Sequence, residues 1–347
     1  AVEALVQRPP SWRERLRLLS LLRQPPAESR RAAALSALTA GQRGPARVSG
    51  RKHSQRRDRS AVTYHYDVSS DFYRLWLDPQ MVYSCAYFAR PDEDLATAQQ
   101  RKLDYLCRKL RLQAGQSLLD LGCGWGGLLL HAAQAYGVDA TGITLSQPQV
   151  DLANERIRAA GLDGRCRALL RDYRQVHDRE AYDALVSVGM FEHVGEARLH
   201  DYFGRAWRLL KPGGVFLNHG IALRGSDRPA RWRTFSNTYV FPDGELAPIH
   251  VTLRAAERAG FEVRDVESLR EHYALTLRHW VRALVAQHDE ALRHVDEPTY
   301  RVWRLFMSGS AHGFTSGRLN VYQTLLVKPD HGASRLPLTR ADWYASP

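Results

Sequence analysis

The stretch SLLDLGCGWGGLLL, residues 117–130, decides the fold. An apolar run of strand length, 117–121, leads straight into a turn holding Gly122, Gly124, Gly126 and Gly127, and an apolar helical pattern follows. Glycine is needed at such a turn, where φ becomes positive or a ligand lies against the backbone with no room for a Cβ. Gly122, Gly124 and Gly127 also satisfy the dinucleotide spacing GxGxxG, which by itself is a weak signal. Two neighbours weigh against a dinucleotide. Asp120 stands just ahead of the first glycine, and the next strand closes in GITLSQPQ, residues 142–149, without the acid that grips a nicotinamide ribose.

Outward from this turn, short apolar runs alternate with amphipathic stretches, the pattern of a parallel sheet with crossover helices. The sequence predicts strands over 117–121, 138–143, 165–170, 183–188 and 214–219, with helices near 126–136, 147–160 and 197–210. Beyond Pro248, residues 249–259 read as a helix, and 261–269 and 319–327 as two last strands parted by a helical insertion, 273–312. Seven strands with helices on both faces make an α/β, Rossmann-like sheet of the class I methyltransferase type. The insertion has the length of a lid over the carboxyl ends of the strands, where open α/β sheets bind ligands. An acid placed like Asp120 helps methyltransferases hold the methionine portion of their cofactor, so S-adenosylmethionine is the expected cofactor here.

The chain has 347 residues, 44% of them hydrophobic, enough for a sizeable core without staples. Cys85, Cys107, Cys123 and Cys166 show no CxxC pair and no zinc spacing, so no metal is expected and a reducing cytoplasm is the simplest setting. No apolar run reaches the roughly 20 residues of a membrane span. Of the formal net charge of +12, residues 1–60 supply +10, with fourteen Lys and Arg against four Asp and Glu. Such a block reads as a solvated tail, a nucleic-acid arm or a surface for anionic lipid. From 24 to 60 it is rich in Pro, Ala, Gly, Ser and Arg and reads as a linker or loose arm, with folding beginning near Val62. The expected organisation is an arm over 1–60 and a catalytic domain over 61–347, its insertion at about 271–314. Trp12, Leu16, Leu19 and Leu22 would share one face of a short helix in the arm, flanked by Arg13, Arg17 and Arg23, a form suited to the inner face of a membrane.

From about 64 to 328 the chain resembles the cyclopropane-fatty-acid synthases and mycolic acid cyclopropane synthases. The resemblance rests on YHYDVSSDFYRLWLDPQMVYSCAYF (64–88), DLGCGWGG (120–127), GITLSQPQ (142–149), SVGMFEHVG (187–195) and FPDGEL (241–246). No generic methyltransferase needs the first or the last. The resemblance implies that the cofactor lies against Tyr83 and Ser84, touches Asp120, Gly122 and Gly124, meets Thr144, Leu145 and Gln149 near the ribose, and is flanked at the adenine by Tyr173 and Arg174. It further implies a bicarbonate ion held by Cys85, Glu192, His219, Tyr273 and the backbone N–H of Ile221. One departure falls in NHGI, residues 218–221, where Gly220 replaces the threonine more usual in mycolic acid synthases. His193, next to Glu192, reads as structural.

The chemistry implied is transfer of a one-carbon unit to the double bond of an unsaturated phospholipid acyl chain, closing a cyclopropane ring. An alkene is a poor nucleophile, and its methylation leaves positive charge on the chain. The enzyme must exclude water, tolerate that charge and remove one proton from the new methyl. Tyr83, Phe88 and Trp280 are candidates to face the cation, and WVRALVAQ (280–287) with YRVWRLFMSGSAHGF (300–314) to line an acyl tunnel. Three rivals stay open: a methyltransferase that stops at a methyl or methylene branch and calls for a reductase partner, an amine N-methyltransferase, and a nucleic-acid protein. The last lacks the interleaved aromatic and basic surface of single-strand binders, so no nucleic-acid partner is expected. The oligomeric state is open, a homodimer being one option.

Overall fold

The structure is a computed structural model that describes residues 45–66, 68–227 and 234–344. Most of the predicted arm, including the face at Trp12, Leu16, Leu19 and Leu22, lies outside the described residues. Seven strands form one sheet: β1 (Ser117–Leu121), β2 (Asp139–Thr144), β3 (Cys166–Leu170), β4 (Tyr182–Val188), β5 (Leu210–Leu223), β6 (Glu262–Ser268) and β7 (Leu319–Val327). Their order is β3-β2-β1-β4-β5-β7-β6, with β7 antiparallel to both of its neighbours. Strand order reverses between β1 and β4, which opens a crevice beyond the carboxyl ends of the strands.

β1 is near-continuously apolar because both of its faces are covered by helices. Gly137, at φ 66°, ends helix Gly127–Tyr136, so β2 starts at Asp139. β5 runs on to Leu223, four residues past the predicted end, because 219–223 pair in antiparallel register with 319–323 of β7. A count of apolar residues stops at the polar Asn218 and His219, whereas the ladder is a backbone property and continues.

In chain order the helices that frame the site are α1 (Gln55–Tyr66), α2 (Ser70–Arg74), α3 (Leu95–Leu110), α4 (Gly127–Tyr136), α5 (Gln147–Ala159) and α6 (Leu199–Leu209). They continue as α7 (Phe235–Tyr239), α8 (Ile249–Arg258), α9 (Arg270–Ala286), α10 (His288–His294), α11 (Glu297–Thr315) and α12 (Ala341–Tyr344). The predicted insertion is α9 to α11. Asp296 caps α11 by accepting from the Thr299 N–H at 2.9 Å, with Pro298 in the first turn. The large side chains of α9 and α11 pack against the turn that follows α2: the rings of Trp280 and Trp303 each lie 5.6 Å from that of Trp76, and all three are almost wholly buried. Of the residues expected to line a tunnel, Trp280, Leu284, Trp303, Met307 and Phe314 are buried in this core, while Val285 and Leu305 are exposed.

The predicted linker over 45–60 differs from the structure. Ala46 N donates to Thr238 O at 2.8 Å, α1 begins at Gln55, and Arg57 donates to Asp243 at 2.8 Å while Lys52 pairs with Glu245. Both acids belong to FPDGEL. In the same motif Phe241 stacks on His65 with ring centres 3.9 Å apart. Composition alone suggested a loose segment, because the partners that hold it are nearly 190 residues away in sequence.

Candidate active site

All ten residues expected at the cofactor line one cleft at the carboxyl ends of β1, β2 and β4. Asp78 accepts from the N–H groups of Gln80 and Val82 at 2.9 and 2.8 Å, closing the turn that delivers Tyr83 and Ser84 to the cleft. Asp120 ends β1 with Oδ1 buried and without a hydrogen-bond partner, and burial raises its carboxyl to about 7 against the opposing pull of Lys102. Gly122 has φ 126° and a Cβ there would lie 2.7 Å from Met190 Cβ, while Gly124, at φ 52°, has open space above it. Thr144 donates to Gln149 Oε1 at 2.7 Å, which leaves the Gln149 amide for the Tyr66 oxygen. Leu145 and Tyr173 line the wall. An orphaned buried acid for a cationic ligand, bare glycine backbone and an aromatic wall fit S-adenosylmethionine.

Arg174 is committed elsewhere than expected. Its guanidinium donates to Asp172 at 2.6 and 2.8 Å and to His53 O at 3.1 Å, and pairs with Asp58 at 2.9 Å. It therefore fastens the segment before α1 over the cleft, with Asp58 itself in the lining.

Of the five residues expected around the anion, Glu192 follows β4, His219 and Ile221 lie in the second half of β5, Tyr273 is in the first turn of α9, and Cys85 comes from the loop between α2 and α3. Glu192 lies on a 3-10 turn, Phe191–His193, and its Oε1 accepts the Ile221 N–H at 2.7 Å. The Ile221 donor is thus spent on the carboxylate rather than free for an ion. Glu192 Oε2 is buried with no partner, and burial pushes this carboxyl to about 7 although the Ile221 N–H opposes it. His219 Nε2 is likewise buried without a partner, and burial with Lys102 and Lys109 holds the ring neutral, down at about 3. Tyr273 is pushed well up by burial, with further contributions from the charges of Cys85, Glu192 and Tyr66. Glu192 Oε2 and His219 Nε2 are the two atoms of this set left buried without a partner, the kind of groups a small oxyacid anion would need, whereas the Ile221 N–H and Cys85 Sγ are already engaged.

Cys85 is fully buried and its Sγ approaches Ala86 O at 3.3 Å and Leu269 O at 3.7 Å. Burial raises the thiol, so no thiolate forms near neutrality. Cys85→Ser keeps one donor for these carbonyls, and its turnover should stay within about tenfold of the parent with cofactor affinity unchanged. Complete loss in a folded, cofactor-binding variant, or an alkylated Cys85 in a mass spectrum, would mark it as a nucleophile.

Gly220 follows from packing: a Cβ there would come within 2.9 Å of Phe191 Cδ1. A larger residue at 220 therefore requires the Phe191 ring to shift. Of the rings proposed to face a cation, Tyr83 lies in the cleft wall with Trp280 5.2 Å away, whereas Phe88 packs apart against His279. His193 also lines the cleft, held neutral by burial at about 4. Sequence reading missed Lys102 and Tyr66. Lys102, on α3, is 1% exposed, donates to Ser84 Oγ at 3.0 Å and is lowered by burial to about 8. Its signal was a lysine on the apolar stripe of an amphipathic helix.

The sequence model for mycolic acid cyclopropane synthetase matches residues 53–324. The chain belongs to that family. Like the rest of it, this member is an S-adenosylmethionine-dependent methyltransferase. It is 48% identical over 298 residues to a probable fatty acid methyltransferase of Pseudomonas putida, covering 85% of this chain and 76% of that one. Cyclopropane mycolic acid synthase 1 of Mycobacterium tuberculosis is 39% identical over 273 residues, 76% of this chain and 94% of that one. Among solved structures, a mycolic acid cyclopropane synthase complexed with SAH superposes with TM-score 0.73 at 38% identity over 77% of this chain and 97% of the other. The likeness to coclaurine N-methyltransferase, at 24% identity, is one of fold. Among the described residues no helix is long and apolar enough to cross a membrane.

Proposed function

We propose that the protein adds a one-carbon unit from S-adenosylmethionine across the double bond of an unsaturated phospholipid acyl chain and closes a cyclopropane ring. When bound, S-adenosylmethionine supplies an electrophilic methyl on a sulfonium. Asp120, the Gly122–Gly124 backbone, Tyr83 and Ser84 would hold it, and the segment fastened by Arg174 and Arg57 keeps water out. The observation that carries the reading is Glu192, whose second oxygen is buried without a partner and whose carboxyl is pushed up to about 7 by burial. A group tuned to about 7 is suited to accepting a proton at working pH. A bicarbonate ion held between Glu192, His219 and Tyr273 would supply a further basic oxygen.

A second reading, a methyl or methylene branch without ring closure, is favoured by the name of the 48% identical relative, a probable fatty acid methyltransferase. The basic excess of residues 1–60 supports an anionic membrane surface as the place where the lipid is met.

Purified protein with S-adenosylmethionine and vesicles of monounsaturated phosphatidylglycerol is expected to give acyl chains heavier by one CH2. Ozonolysis then decides between products: a ring resists cleavage, a methylene branch is cut to a ketone, and a saturated methyl branch is told from a ring by its two additional hydrogens. Absence of any mass gain on the acyl chains, with the methyl group consumed on the head group instead, would overturn both readings.

A further inference from the structure

We propose that Gln323 and Lys109 are positioning residues that fix which ring nitrogen of His219 carries its proton. His219 on β5, Gln323 on β7 and Glu267 on β6 stand directly opposite one another across three neighbouring strands. Residues so paired put their side chains on one face of the sheet. α3 packs on that face and brings Lys109 over the row, where Nζ donates to Gln323 Oε1 at 2.8 Å and pairs with Glu267 Oε2.

A lysine ammonium has donors and no acceptor, so it settles the orientation of the Gln323 amide: carbonyl toward Lys109, NH2 toward His219. The amide nitrogen lies 3.3 Å from His219 Nδ1. A neutral imidazole that accepts at Nδ1 carries its proton at Nε2. That is the nitrogen left buried without a partner among the described residues. His219 thus offers the site one N–H donor of fixed direction. Burial lowers Lys109, while Glu267 and the rings of Tyr105 and Trp343, 4.5 and 5.3 Å from Nζ, favour its charged form. Tyr105 also donates to Glu267 Oε2 at 3.0 Å, which fixes the far end of the row.

The use of this donor by an anion rests on the function proposed above, whereas the tautomer follows from the row itself. Nitrogen-proton correlation spectra of full-length protein with 15N-labelled histidine tell the tautomers apart, since protonated and accepting ring nitrogens resonate far apart; His219→Gln identifies the signal. The parent should show Nε2–H with Nδ1 accepting. Gln323→Glu offers only acceptors to both neighbours, so the proton should move to Nδ1, with turnover down by about 10- to 100-fold, the range for outer-shell partners that orient metal-bound histidines, and cofactor affinity unchanged. Lys109→Arg keeps a donor-only cation and should keep the parent pattern, which preserves the test should Gln323→Glu fail to fold. An Nδ1–H pattern in the parent, or an unchanged Nε2–H pattern in folded Gln323→Glu, overturns the proposal. An Nε2–H pattern in an enzyme whose turnover ignores added bicarbonate supports the proposal and counts against the anion site alone.

Discussion

Glu192→Gln is expected to cut turnover by about a hundredfold or more, the scale of lost acid-base help, while cofactor affinity stays within a few-fold. The substitution is selective because the amide oxygen can still accept the Ile221 N–H, now 2.7 Å from Glu192 Oε1. What disappears is the second, unpartnered oxygen, replaced by an NH2 that accepts nothing. At saturating cofactor the parent's turnover should rise as pH passes about 7 and the carboxylate forms, and the variant should lose that limb. Asp120 titrates in the same range, so cofactor affinity also rises there and must be saturated out. Stability runs the opposite way. Both carboxyls keep their protons in the folded chain up to about 7, while the unfolded chain releases them near 4.5 and 3.8, so the folded state binds more protons in between. Stability therefore falls as pH rises across that window, by up to about 3 kcal/mol for Glu192, and Glu192→Gln should flatten its share of the slope. A variant with near-normal turnover at pH 7, with or without bicarbonate, removes Glu192 from the chemistry.

Much of this was legible in the sequence because it is local. The turn 120–127 carries its own reasons, positive φ at Gly122 and Gly124 and an acid ahead of them, and the cleft gathers all ten residues read as cofactor contacts. The strands could be read from apolar runs, since a parallel sheet covered on both faces needs them. What escaped depends on partners remote in sequence. The segment over 52–66 is held by Asp243 and Glu245, and Arg174, which lines the cleft, is claimed by Asp58 and Asp172. The Ile221 N–H was expected to be open and is taken by Glu192, a bond no spacing rule encodes.

The interlock of the two outer motifs gives them a common physical purpose. FPDGEL contributes Phe241 to stack on His65, and Asp243 and Glu245 to hold Arg57 and Lys52. The segment so held supplies Asp58, Val62 and Tyr66 to the cleft wall. Tyr66 in turn touches Gln149 on the cofactor side and feels the charge of Glu192 on the other. Neither motif supplies Glu192, the proposed proton acceptor, yet together they close the cofactor cleft and join it to that buried acid. Lys102 does similar work from α3, reaching Ser84 in the wall while its charge acts on Asp120 and Cys85.

Gly122→Ala is expected to raise the cofactor dissociation constant by about a hundredfold or more and to lower the unfolding temperature as well. At φ 126° an L-residue with a side chain is strained by about 1–3 kcal/mol wherever it stands. Here the new methyl would also lie 2.7 Å from Met190 Cβ and 3.2 Å from its Cγ. Met190 precedes the 3-10 turn Phe191–His193, so it cannot withdraw without moving the backbone that presents Glu192. Overpacking of this kind costs about 1–3 kcal/mol more. One added carbon should therefore disturb the cofactor turn and the acid together. Gly124→Ala is the control: at φ 52° it carries the left-handed penalty of about 1–2 kcal/mol, but nothing lies within 4 Å of the added Cβ, so its cofactor affinity should fall by no more than about tenfold. Titration calorimetry on both variants, with thermal melts at one pH, separates the two costs. Equal losses at 122 and 124 would mean that the Met190 contact is relieved at no cost, and normal cofactor binding by Gly122→Ala would show that the glycine turn is not where this ligand rests.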